Sequence, residues 1–376
     1  MYLTVLVCLI VEVAMTMGGI DGYVLTFTFI PIALVMCEMV DIPRRCIGGL
    51  MVLNCAFMAC PGAPQVDNII ARSAILGEVF GEESAFAEIA TQANYSISST
   101  AAPIPGLVGV AIIVLGGYFY LCRQINKAKA NGEHFEWGPV ARIEAEEKKL
   151  PGFFVSFIPL IVVFFLYTLV PIIFKTEVQI SVALGSGIVI ALLLFGKNLP
   201  KRREKKERSV ISRIVGVLND GSNSYPGALM SLCTPAALAG VITATAAFGI
   251  VVEALSGLQI HPFVLTLIVV CVLVAITSSP PAALMIALPI ALNIMLAKGF
   301  SAAEVLELSP GIMRIGALAT TTFETLPFNG LIILTLNMIG CTHKEAYKPM
   351  LIQSVVFTLL GSIAATIILV LFPGLA

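Results

Sequence analysis

Charge is what this sequence has least of. Only 12% of its 376 residues are Asp, Glu, Lys or Arg, and they nearly cancel, to a net charge of -1; soluble domains carry roughly a quarter. With 58% hydrophobic residues and a mean hydropathy of +0.98, a water-soluble core could not enclose the apolar surface, whereas a bilayer can. Enzyme signals are equally scarce. The three histidines, His134, His261 and His343, lie in or beside loops, and there is no H-E-x-x-H, G-x-S-x-G or Walker A run. Without an ATP site, any transport must be driven by an ion gradient or by the substrate itself, and no cofactor is expected. The nine cysteines are scattered mainly through apolar stretches with no C-x-x-C pair, which marks them as small buried hydrophobes rather than a disulfide framework or a zinc site. Basic residues sit in loops rather than along one face, so nucleic-acid binding is set aside. The apolar start of the chain lacks a basic region and a cleavage site, and reads as a membrane span rather than a signal peptide.

What is present is a series of apolar stretches near the 20 or so residues needed to cross hydrocarbon. They cover residues 1–17, 23–40, 46–60, 103–122, 152–174, 178–195, 228–255, 262–297 (long enough for a hairpin), 315–339 and 351–372. Orientation follows from the basic loops: 197–213, 123–149 and Arg44/Arg45 fall on one side, the cytoplasmic one. Residues 65–102 hold five acids against Arg72 alone and read as an outer segment. The RIEAEEKK run at 142–149 reads as a short solvated helix. The expected location is a cell inner or plasma membrane, crossed many times.

Several of these stretches are broken in the middle. Thr277-Ser278-Ser279-Pro280-Pro281 interrupts one, and Glu324-Thr325-Leu326-Pro327-Phe328-Asn329-Gly330 another. Cys60-Pro61-Gly62-Ala63-Pro64-Gln65 is a third, with Gln65 and Asn68 as neutral polar partners, and Thr234-Pro235 a fourth. Unpaired backbone at bilayer depth costs several kcal/mol per group unless it lines a protected cavity, so broken membrane helices point to a binding site and to secondary transport. Half-helices that start inside the membrane aim N–H groups and a positive dipole end at the cavity, which suits a carboxylate. Ionisable residues in membrane segments are few: Glu12, Asp21, Glu38, Glu253, Arg314 and Glu324. Glu12 and Glu38 can snorkel to an interface. Asp21 and Glu324 adjoin breaks and are the candidates for H⁺ or Na⁺ coupling; Arg314 is the candidate counter-charge if it faces the cavity, with an interfacial anchor as its other reading. A faint likeness between Asp21-Gly22-Tyr23 and Asn329-Gly330-Leu331, each opening a span that ends near basic residues, suggests inverted repeats, because span counting puts the second on the opposite side.

The stretch from Arg314 through Glu324-Thr325-Leu326-Pro327-Phe328-Asn329-Gly330 to Gly340-Cys341-Thr342-His343-Lys344-Glu345-Ala346-Tyr347-Lys348 resembles the C-terminal signature of the gluconate permease family. Pro61-Gly62-Ala63-Pro64-Gln65-Val66-Asp67-Asn68 resembles the P-G-x-P-Q-x-x-N segment of its D-β-hydroxybutyrate permease-like members, and Asp21 falls where the family has an acid in a break. The resemblance covers most of the chain. It implies an all-α polytopic fold of the ion transporter superfamily, with inverted repeats and hairpin or broken helices. It further implies a homodimer and symport of a small organic carboxylate with H⁺ or Na⁺. The chain departs from the family at Phe328, where a His is usual, at Ser278–Ala282 and at Thr320–Thr322, so a tighter, less polar pocket is expected. Residues 1–122 would be a first repeat truncated at its N-terminus, 123–150 a charged cytoplasmic loop, 151–222 linking spans with a basic loop, and 223–376 the second repeat. The substrate site is expected at Pro61, Gly62, Pro64, Gln65, Asn68, Thr234, Ser278, Ser279, Arg314, Pro327, Asn329 and Gly330. The rival readings are a membrane-embedded enzyme, which would need clustered His, Asp or Ser, and a non-transporting truncated homologue.

Overall fold

Apolar segments with few caps and few charges leave the backbone no partner but itself, and helices result. The computed structural model describes residues 2–81, 84–139, 152–174, 178–196, 210–219 and 260–376, with isolated positions between 199 and 257. In chain order the elements are α1 (Tyr2–Met17), α2 (Gly22–Met39), α3 (Ile47–Leu53), α4 (Cys55–Met58), α5 (Val66–Val79), α6 (Ala87–Gln92) and α7 (Pro103–Ala130). Then come α8 (Phe154–Phe174), α9 (Ile180–Phe195), α10 (Val210–Asn219), α11 (Pro262–Thr277), α12 (Pro280–Ala297), α13 (Ala302–Phe323), α14 (Gly330–Ile339) and α15 (His343–Leu371). No strand occurs among the described residues, and five of their helices, α2, α7, α8, α12 and α15, are long and apolar enough to span a membrane. The protein is an all-helical polytopic membrane protein. Thr234, the 234–235 break and most of 228–255 lie outside the described residues, as do 142–149 and 201–209.

Four of the expected breaks are present: between α1 and α2, between α4 and α5, between α11 and α12, and between α13 and α14. The 262–297 stretch is a hairpin, with α11 packed on α12 and both on α13. Three expectations are corrected. Residues 46–60 do not make one span: a 3₁₀ turn, the seven residues of α3 and the four of α4, parted at Asn54, form a short buried piece. At 1.5 Å per residue, α3 and α4 together are too short to cross hydrocarbon. The acidic segment 65–102 is not simply an outer loop, because it begins with α5, which buries Asp67, Asn68, Ala71, Ala74 and Ile75 against α12 and α13. The third concerns α2 and α14, which pack side by side. Gly22 faces Leu331 and Gly330 faces Tyr23 at one end, while Cys341 lies by Arg44 and Arg45 at the other. The two helices therefore run parallel, with Lys344 and Lys348 on the same side as Arg44 and Arg45, and this pair carries no inverted relation.

The basic side is knit together by its loops. Arg45 makes a bidentate pair with Glu133 at 2.6 and 2.8 Å, Lys129 donates to the Val40 carbonyl at 2.8 Å, and Asp41 accepts from the Phe135 N–H and from His134, both at 2.8 Å. Glu38 takes the Trp137 indole N–H at 2.9 Å, an interfacial position like the one expected for it. Glu12 does not reach an interface: it is fully buried.

Candidate functional site

Each break exposes carbonyls and N–H groups that a helix would have paired, and the polar residues of the apolar segments are where those groups find partners. At the first, Gly18 and Ile20 donate back to Ala14 and Met15 at 2.9 and 3.1 Å, with Gly19 in the left-handed region at φ 81°. Asp21 then starts α2, its Oδ1 accepting the Tyr23 N–H at 2.9 Å. Gln65 Nε2, from the second break, donates to the Thr16 and Ile20 carbonyls at 2.6 and 3.2 Å, tying the two breaks together.

The second break is stapled by two side chains. Asn68 Nδ2 donates to the carbonyls of Met58, Cys60 and Ala63 at 3.2, 2.9 and 3.2 Å. The Arg314 guanidinium donates to the Ala59 carbonyl (2.8 Å) and to Asn68 Oδ1 (2.7 Å), and reaches on to the carbonyls of Ser99 (2.8 Å) and Ala101 (3.0 Å). Thr168 Oγ1 serves the Gly62 carbonyl at 2.6 Å. Arg314 is neither at an interface nor open to a cavity: it is fully buried, with all three nitrogens committed to this chain. The reason is local. An unwound run bristling with carbonyls needs donors, and arginine supplies five in one plane. Close approach is secured by Gly106, where an added methyl would lie 2.5 Å from Pro61 Cγ and 2.8 Å from Arg314 Cδ. Pro64 packs beside Gly19.

The third and fourth breaks hold each other. Ser278, at φ 50°, ends α11, and Ser279 starts α12 with Pro280 and Pro281 in its first turn. Asn329 caps α14 by accepting the Leu331 N–H at 2.7 Å and donates across to the Ser278 carbonyl at 3.0 Å, while Ser278 Oγ meets the Glu324 carbonyl at 3.4 Å. Tyr347 and His343 bond the Thr325 and Pro327 carbonyls at 2.9 and 2.8 Å. Because α14 has only ten residues, about 15 Å, and ends on the basic side, its start at Asn329 and Gly330 lies about half a hydrocarbon thickness in.

With the neutral polar atoms engaged, the acids stand out. Asp21, Asp67 and Glu324 come from three different breaks and lie close enough to act on one another electrostatically. Asp67 Oδ2, Glu324 Oε2 and both carboxyl oxygens of Glu12 are buried without a hydrogen-bond partner among the described residues. Asp67 was not among the sequence-derived candidates, and Glu12 was on the list of intramembrane ionisable residues with an interfacial position as its other reading. Asp67 stood in plain view between Gln65 and Asn68, but was counted with the acids of an outer loop; its ordinary use, a first-turn acid complementing the α5 dipole, fits too. Two helix starts face this region with no side-chain cap, those of α5 and α12, since Gln65 is turned to α1 and Ser279 makes no capping bond.

A polytopic helical protein whose broken helices meet around buried acids has the construction of a membrane transporter. The chain is similar to an uncharacterised transporter of Bacillus subtilis (strain 168), YxjC, with 26% identity over 92% of this chain and 74% of that protein. No family model matches the chain.

Proposed function

We propose that this protein is a secondary transporter that moves a small organic anion, such as gluconate, D-β-hydroxybutyrate or a related hydroxycarboxylate, across a cell membrane together with H⁺. The observation that carries the reading is the group Asp21, Asp67 and Glu324, three mutually acting acids on separate helix breaks, two of them with unpartnered oxygens. Such a group cannot hold full negative charge away from water without an accompanying cation, and an arriving carboxylate adds to the same demand. Cotransport with protons meets both. The uncapped start of α5 supplies N–H groups and a positive dipole end for the substrate carboxylate. The start of α12, whose first two residues are prolines without an N–H, adds its dipole end and the Ala282 N–H, close to Ser278, Asn329 and Gly330. Likeness to a named transporter supports the class, and resemblance to gluconate permeases supports the substrate. Arg314, Gln65 and Asn68 shape the site by holding its unwound backbone. The test is uptake into liposomes of a panel of labelled carboxylates under an imposed pH gradient, with Na⁺ present or absent. The expected result is accumulation of at least one hydroxycarboxylate driven by the pH gradient. Uptake of none above protein-free liposomes would overturn the transport reading, and uptake driven by Na⁺ alone would overturn proton coupling.

A further inference from the structure

A cavity of about 530 Å³ opens on the basic side between α7 and the start of α15, remote in character from the acidic site; Arg45, Lys127, Lys344 and Lys348 line it, with Tyr120 and Ile352 toward its apolar end. The acid that lines it, Glu345, and the one beside Arg45, Glu133, are already used. Glu133 is bonded to Arg45, and Glu345 closes a capping box on Thr342, accepting its N–H and hydroxyl at 2.7 Å. Lys127, Lys344 and Lys348 form no ion pair among the described residues.

The sequence of α15 continues the pattern into the bilayer. Lys344, Lys348 and Ile352 recur at four-residue steps, which keeps them within about 80° of one another around the helix, and Val356 and Leu360 follow through and beyond the π-turn at Ile352–Phe357. Val356 and Leu360 are exposed, as are Leu115 and Phe119 on α7. Two lysines at the membrane surface, followed by an outward apolar stripe, match an anionic headgroup with acyl chains below it. By the excess of basic loops this is the cytoplasmic side, where anionic lipids attract such clusters at about fivefold per basic residue.

We propose that this cleft is a binding site for an anionic phospholipid, its phosphate held by Lys127, Lys344 and Lys348 and its chains lying along α7 and α15. The occupant is a lipid rather than a free anion because the lining grades from charged to apolar along the membrane normal. The test uses the full-length protein in nanodiscs of equal phosphatidylglycerol and phosphatidylcholine, followed by native mass spectrometry of the retained lipid. Phosphatidylglycerol should be enriched about tenfold, and K127Q/K344Q/K348Q should lower that enrichment at least fivefold while K298Q does not. On the wild-type protein, raising NaCl from about 0.05 to 0.5 M should weaken retention, a check that requires no variant to fold. Equal retention of the two lipids, or full retention by the triple variant, would overturn the proposal. Release of phosphatidylglycerol by millimolar glycerol phosphate would overturn it too, by showing a site for the free anion.

Discussion

Replacing Arg314 by lysine tests whether this residue serves the substrate or the backbone. The guanidinium reaches four acceptors, on Ala59, Asn68, Ser99 and Ala101, at 2.7 to 3.0 Å. A lysine has one nitrogen and can keep the two that share Nη1, Ala59 and Asn68, but not those reached by Nε and Nη2. Two buried carbonyls then lose charge-assisted partners, at about 1–3 kcal/mol each. The sum, about 4 kcal/mol, is a large part of the 5–15 kcal/mol typical of a folded domain, and for a chain of 376 residues corresponds to a fall in Tm of about 5 °C. Arg314→Met, which strands all four acceptors and leaves Asn68 without its anchor, should cost more and abolish recovery of folded protein. The assay is thermal unfolding in nanodiscs, with uptake kinetics on the fraction that remains folded. We expect Arg314→Lys to lower Tm and the amount of active protein while KM stays within twofold. A Tm within about 2 °C of wild type, together with a KM raised several-fold, would refute the backbone role and make Arg314 the substrate's counter-charge.

Asp67→Asn and Asp21→Asn should each abolish accumulation against a gradient while sparing exchange of labelled for unlabelled substrate; wild-type accumulation with the same pH dependence would remove them from coupling. Gly106→Ala drives a methyl to 2.5 Å from Pro61 Cγ, so it should lower Tm as Arg314→Lys does, and an unchanged Tm would show that the staple can shift. Gly330→Val places branched bulk where a single Cβ already lies 3.3 Å from the Tyr23 hydroxyl; it should stop uptake with membrane insertion intact, and wild-type rates would move Gly330 off the site. On the basic side, the Phe135 N–H and His134 hold the Asp41 carboxyl below its ordinary value. The stabilisation this gives the loop is complete above about pH 4 and is lost as pH falls through the lowered folded value. Hydrogen exchange at residues 133–137 should therefore speed up under acid once intrinsic rates are corrected, and less so in Asp41→Asn; equal acid sensitivity in both would exclude Asp41 as the cause.

The solvent of this protein, its helical class and the places where its helices break were all legible in the chain. Each depends on local properties: too few charges to face water, apolar runs of membrane length, and Pro, Gly and Ser where an α-helix cannot continue. Gly18–Asp21, Cys60–Gln65, Ser278–Pro281 and Glu324–Gly330 were found in this way. Which break faces which, and what each polar side chain spends its atoms on, depends on residues far apart in sequence. Arg314 is 246 positions from Asn68 and 255 from Ala59, so no spacing rule could show that they form one staple. The same holds for Asp67, an ordinary first-turn acid by sequence that becomes part of the buried group only because α5 lies against α12 and α13. Helix direction was misjudged for a related reason. That α2 and α14 run parallel is set by their contacts with each other, Gly22 with Leu331 at one end and Cys341 with Arg44 at the other. Hydropathy measures how much a segment avoids water; it carries no record of which neighbour takes the water's place.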